Sequence, residues 1–127
     1  MVLKVDDLDV YQMAEELADK TWDICIGWNY FAKDTIGKQL VSAADSISAN
    51  LAEGHGRYHF KDRINFCYYA RGSLEETKNW LSKAIRRGLV ASDINDINQI
   101  MDLLPKKMNA YIGSIKKVHN DHKIDKK

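Results

Sequence analysis

Residues 46–81 read SISANLAEGHGRYHFKDRINFCYYARGSLEETKNWL, and this stretch decides the fold. It joins a helix rich in small residues (Ala49, Ala52) to a longer helical pattern. Gly54 and Gly56 interrupt the periodicity between them, and Arg63, Arg71, Glu75 and Glu76 stud the second part. Within the second part Phe60, Ile64, Cys67, Ala70, Leu74, Thr77, Leu81 and Ala84 recur every three or four residues, the spacing of one buried helical stripe. Glycine at position 54 suits a left-handed helix stop, because it lacks a Cβ. Gly72 falls mid-helix, where glycine costs about 1 kcal/mol against alanine, so it is expected to pack closely on a neighbouring backbone. Gly88, just after Arg86 and Arg87, is expected to end this helix.

The same spacing extends outward in both directions. A first helix is expected over about 8–28, with Val10, Ala14, Leu17, Thr21, Ile24 and Trp28 as its stripe and Tyr11, Ala18, Trp22 and Cys25 widening it. A second is expected over about 34–53 through Ile36, Leu40, Ala44, Ile47 and Leu51. The third spans about 59–87. The fourth, about 93–118, follows Ser92 as N-cap and carries Ile94, Ile97, Met101, Leu104, Met108, Tyr111, Ile115 and Val118. Pro105 is expected to kink it by freeing the carbonyl of Met101. The tail 119–127 is polar and is expected to fray. Four amphipathic helices with short connections predict an all-α, antiparallel up-and-down bundle in one domain covering 1–127.

Composition agrees with this class. Apolar residues make up 45% of the chain and charged residues 29%, while Gly and Pro number 7 and 1. Scarce turn residues disfavour sandwiches and barrels. No apolar run approaches the roughly 18 residues of a membrane span. The N-terminus lacks a secretion region, so a cytoplasmic protein is expected. Cys25 and Cys67 then read as small buried hydrophobes.

The net charge of +1 conceals an asymmetry. Residues 1–54 carry 4 Lys/Arg against 10 Asp/Glu, a balance of −6; residues 55–127 carry 15 against 8, a balance of +7. A basic half can bind an anionic partner. It can equally hold an acidic helix, within one chain or between copies.

Two words in the opening stretch resemble one family. Asn50, Leu51, Ala52, Glu53, Gly54, Gly56 and Arg57 fit N-[IL]-A-E-G-x-G-R, and Ala70, Arg71, Gly72, Ser73, Leu74 and Glu76 fit A-R-G-S-L-x-E. Both patterns are similar to those of the small bacterial four-helix-bundle proteins of intervening sequences in large-subunit ribosomal RNA genes. The accessory variability proteins of diversity-generating retroelements are distant relatives. The resemblance runs from Val10 to about Val118 and is most specific over 47–76. It implies a homo-oligomer, a five-fold ring of bundles with a central opening. For the retroelement branch it implies binding to a reverse transcriptase and to nucleic acid.

Candidate nucleic-acid contacts follow from the charges. His55, Arg57, His59, Lys61 and Arg63 interleave with Tyr58 and Phe60, and phosphate contact and base stacking need such a mixture. Arg71, Arg86, Arg87, Lys106 and Lys107, with Lys116 and Lys117, extend the set. Clustered on one face they would form a strip; scattered, they would be ordinary surface. For Arg71 the simple role is an ion pair with Glu75 or Glu53, and the functional role is a phosphate grip. Asn50 and Glu53 read as hydrogen-bonding anchors of helix ends. Gly54, Gly56, Gly72, Ser73 and Glu76 complete the structural motif.

No catalytic residue, metal site or cofactor is expected. His55 and His59 are separated by Gly56, and His119 and His122 lie in the tail. The GHG triplet lacks the third glycine and the acid of a dinucleotide fingerprint. An RNA- or DNA-binding accessory module is the first expectation. A protein–protein scaffold, in which acidic Asp9, Glu15, Glu16 and Asp19 meet the basic surface of the next copy, is the second. A stand-alone enzyme is a distant third.

Overall fold

A computed structural model of the chain describes residues 4–90 and 93–125. Every regular element among them is helical. A 3-10 turn, Val5–Asp7, leads into α1, Asp9–Ile26. A short α2, Tyr30–Ala32, passes through a π-helical turn, Lys33–Gly37, into α3, Lys38–His55. The long helices α4, Phe60–Arg86, and α5, Asn95–Asp125, complete the bundle. α3 packs on α1 and on α4, and α5 touches both α1 and α4. No helix is long and apolar enough to cross a membrane among the described residues.

The stripes read from the sequence form one core. Leu17 of α1, Leu40, Ile47 and Leu51 of α3, Leu74 of α4, and Leu104 and Met108 of α5 are almost completely buried. A second cluster of Ile64, Cys67, Ile112 and Ile115 extends it between α4 and α5. Both cysteines are free and buried. Burial pushes the Cys25 thiol up to about 11.

Local chemistry explains where the boundaries differ from expectation. The second helical segment begins at Tyr30 rather than near Asp34, because Asn29 caps it by accepting the Ala32 N–H at 3.0 Å. The π turn follows at once, and the Thr35 hydroxyl donates to the Phe31 carbonyl at 2.7 Å. Gly37 fits there closely, since a Cβ would lie 3.3 Å from the Ala32 carbonyl oxygen and in ordinary contact with the Trp28 ring.

Gly54 does not stop its helix. α3 continues to His55, and Gly56 follows in ordinary right-handed geometry with φ −82°. Gly54 is buried, and a Cβ on it would sit 2.6 Å from Cβ of Phe66 on α4. Its job is close helix approach. Gly72, expected to do that job, would place a Cβ in open space. Gly88 is the glycine with positive φ, at 74°. Around it the Leu89 N–H reaches the Ala84 carbonyl at 2.9 Å and the Gly88 N–H reaches that of Ile85 at 3.1 Å, a Schellman ending.

α5 also departs from expectation. Ser92 lies outside the described residues. Asp93 accepts the Asn95 N–H at 3.0 Å in front of the helix. The helix runs through Pro105 without a break and continues to Asp125, so 119–125 are helical, not frayed. Part of the reason is His119, whose ring stacks on Phe60 with centroids 3.9 Å apart.

Candidate nucleic-acid interface

The two motif words meet across the α3–α4 seam. Asn50 Nδ2 donates to the Ser46 carbonyl at 2.9 Å and reaches Ser73 Oγ of the second word at 3.4 Å. Gly54 lies against Phe66, and the Arg63 carbonyl is 3.3 Å from where its Cβ would be. Asn50 is thus a cross-helix bridge rather than an anchor of a helix end. Glu53 does work near its helix end: Arg57 donates to it at 2.5 Å and places its guanidinium 4.9 Å above the Phe66 ring. Phe66 in turn meets Tyr69 edge-on, with centroids 5.3 Å apart.

On the other flank of α4, Arg71 pairs with neither Glu75 nor Glu53. It donates to Asn109 Oδ1 of α5 and lies over the Tyr68 ring at 5.5 Å. Glu75 is held instead by Lys78. Lys61 and Tyr68, seven residues apart, share a helix face with Arg71. On α5, Lys116 lies seven residues after Asn109 and shares its face, whereas Lys106, four residues after Asp102, lies on the outward side of the helix. Lys61, Arg71 and Lys116 therefore border the α4–α5 seam, with Tyr68 beside them. Tyr58, at the α3–α4 turn, is 93% exposed.

The remaining expected contacts lie elsewhere. Arg63 is half-buried and turns inward, where its guanidinium faces the Tyr111 hydroxyl. Its Nε is buried without a hydrogen-bond partner among the described residues. The same hydroxyl lies 2.8 Å from Nδ1 of His55, and burial pushes its pKa up against the pull of Arg63. Arg86 and Arg87 are exposed at the far end of α4, roughly 40 Å along the axis at about 1.5 Å per residue. Lys107 is engaged by Asp9 Oδ2 at 2.7 Å, and Lys20 by Asp96 at 2.9 Å. Those pairs hold the carboxyls of Asp9 and Asp96 below their ordinary range through the hydrogen bonds from Lys107 and Lys20.

The expected cations do not form one strip. Arg57 marks one flank of α4; Lys61 and Arg71, with Lys116 of α5, mark the other. Several partners had no sequence signal. Asn109 is one polar residue among many outward positions of α5. Phe66 stands outside the stripe, and only the missing Cβ of Gly54 explains its place. Tyr68 and Tyr69 flank the buried stripe and both emerge largely exposed. Trp22, read as part of the α1 core, is 54% exposed. No group of three or more His, Cys, Asp or Glu side chains could hold a metal ion among the described residues.

A family model described as 23S rRNA-intervening sequence protein matches residues 6–110. No curated protein matches the chain.

Proposed function

The chain belongs to the 23S rRNA-intervening sequence protein family, and from that premise we propose that it is a non-enzymatic, RNA-binding accessory module. One observation carries this reading. Guanidinium and ammonium groups alternate with exposed aromatic rings along the first half of α4 and the turn before it, with Arg71 over Tyr68 and Tyr58 exposed beside Arg57. Single-stranded nucleic acid is held by that combination: cations track the phosphates and aromatic faces stack bases, each worth about 1–3 kcal/mol. The contacts we assign are Arg57, Lys61, Arg71 and Lys116, with Tyr58 and Tyr68 as stacking faces. Arg86 and Arg87 fall outside this assignment because of their distance along α4.

The module would act as a ring of antiparallel up-and-down bundles. The contact pairs support that order within one chain. Asp9 and Lys20 of α1 meet Lys107 and Asp96 of α5 in reversed sequence. On α4 and α5, Phe60 meets His119 and Arg71 meets Asn109, again reversed. A ring would multiply a few phosphate contacts into useful avidity.

Fluorescence anisotropy with a labelled single-stranded RNA tests the reading. About four phosphate contacts give a salt slope near −3, so affinity should fall roughly fifty-fold between 50 and 200 mM salt. Arg71→Ala and Tyr68→Ala should each weaken binding about ten-fold, while Arg86→Ala changes little. No binding at low salt to single-stranded RNA, structured RNA or DNA would overturn it and leave the scaffold reading.

A further inference from the structure

The face of the bundle opposite this chemistry is apolar, long and uncovered. A groove of about 680 Å³ runs between α1 and α3. Trp22, Cys25 and Ile26 wall one side, and Val41, Ser42, Ser46 and Ala49 form the other. Near its α1 end Trp22, Ile26, Tyr30 and Phe31 are between 54% and 81% exposed. So much large apolar surface in one place marks an interaction site.

The shape selects a rod. From Lys33 to Ala49 the lining extends roughly 24 Å at about 1.5 Å per residue. Ser42, Ser46 and Ala49, spaced by four and three, offer a flat ridge on which a helix backbone can approach closely.

The charges select which rod. Lys33 and Lys38 stand at the π-turn end of the groove. Asp45 stands further along α3, and Glu15 and Asp19 of α1 crowd it; burial, followed by those two charges, raises its pKa. No ion pair relieves Asp45 among the described residues. The outward face of α5 carries the complementary order, with Asp102 near one end, Lys117 near the other, and Lys106, Ala110 and Gly113 exposed between them. Asp102 and Lys117 are roughly 22 Å apart along the helix, against roughly 18 Å between Lys33 and Asp45. Leu103, also exposed, adds an apolar contact at one edge of that face. The outer surface of α4 matches less well, because exposed Glu75 and Glu76 interrupt its basic residues.

We propose that the α1–α3 groove of one copy seats the outward face of α5 from a second copy, with Asp45 opposite Lys117 and Lys33 opposite Asp102. The contact joins two different surfaces, so it is heterologous and propagates around a closed ring instead of pairing two chains symmetrically. This inference rests on the ring reading and names the surfaces that would make it.

Molar mass in solution, measured by light scattering on size-separated protein, tests it. The unaltered chain should run as a multiple of 14.6 kDa. Trp22→Glu, Asp45→Lys and Lys117→Asp should each shift the mass toward a single chain, with circular dichroism unchanged. Combining Asp45→Lys with Lys117→Asp should restore the multimer. A monomeric unaltered chain would overturn the ring reading and this inference together. A multimer that persists through all three single variants, or a double exchange that restores nothing, would overturn this pairing and leave the ring standing.

Discussion

The two sides of α3 are built from equally small residues and end in opposite situations. Toward α4, Gly54 lies so close to Phe66 that a methyl group has no room. Toward α1, Ser42, Ser46 and Ala49 line an open groove with Trp22 standing exposed beside them. A small residue is therefore no measure of close packing by itself. It permits approach, and only a partner helix at the right height uses the permission. Gly54 and Gly72 repeat the lesson within the motif, since one is sealed by Phe66 and the other faces open space.

The largest effect should come from closing the sealed side. Gly54→Ala gains about 1 kcal/mol of helix propensity but forces Cβ against the Phe66 Cβ, an atom fixed to the α4 backbone. Overpacking of this kind costs about 1–3 kcal/mol, and Gly54→Leu should cost more; urea titration followed by circular dichroism measures both. A neutral Gly54→Ala would break the contrast. Next in size, Gly72→Ala should stabilise by about 0.5–1 kcal/mol in the same titration, because an added methyl meets nothing there. A loss at Gly72 would mean that a partner covers it.

The smallest effect probes the α1–α5 seam, where charge is already paired. The hydrogen bond from Lys107 lowers the Asp9 pKa below its ordinary 3.8. A lowered folded pKa stabilises above the unfolded value, and the contribution disappears as pH falls through the folded one. Asp9 is exposed and screened, so Asp9→Asn should cost only a few tenths of a kcal/mol at neutral pH. The difference from the unaltered chain should shrink below pH 3.8 and vanish once the folded carboxyl is protonated. A cost that persists there would assign Asp9 a role other than its charge.

Most of the core was readable from spacing. The α4 stripe from Ile64 to Ala84 is buried at every position, and so are Ile36, Leu40, Ala44, Ile47 and Leu51. The cationic residues were readable as types but not as a constellation. Nothing in the order of residues says that Arg71 reaches Asn109, thirty-eight positions away, or that Arg63 turns inward while Lys61 remains outside. The helical tail was missed because a polar composition says nothing of Phe60 waiting beneath His119.

What the sequence determined alone is the set of helices and their buried faces, since periodicity at 3.6 residues is a local property and hydrophobic burial follows it without knowledge of any partner. What only the tertiary structure decided is which small residue is pressed and which is left open, and which cations come together. Those depend on the height and rotation at which two helices meet, and both are set jointly by side chains far apart in the chain.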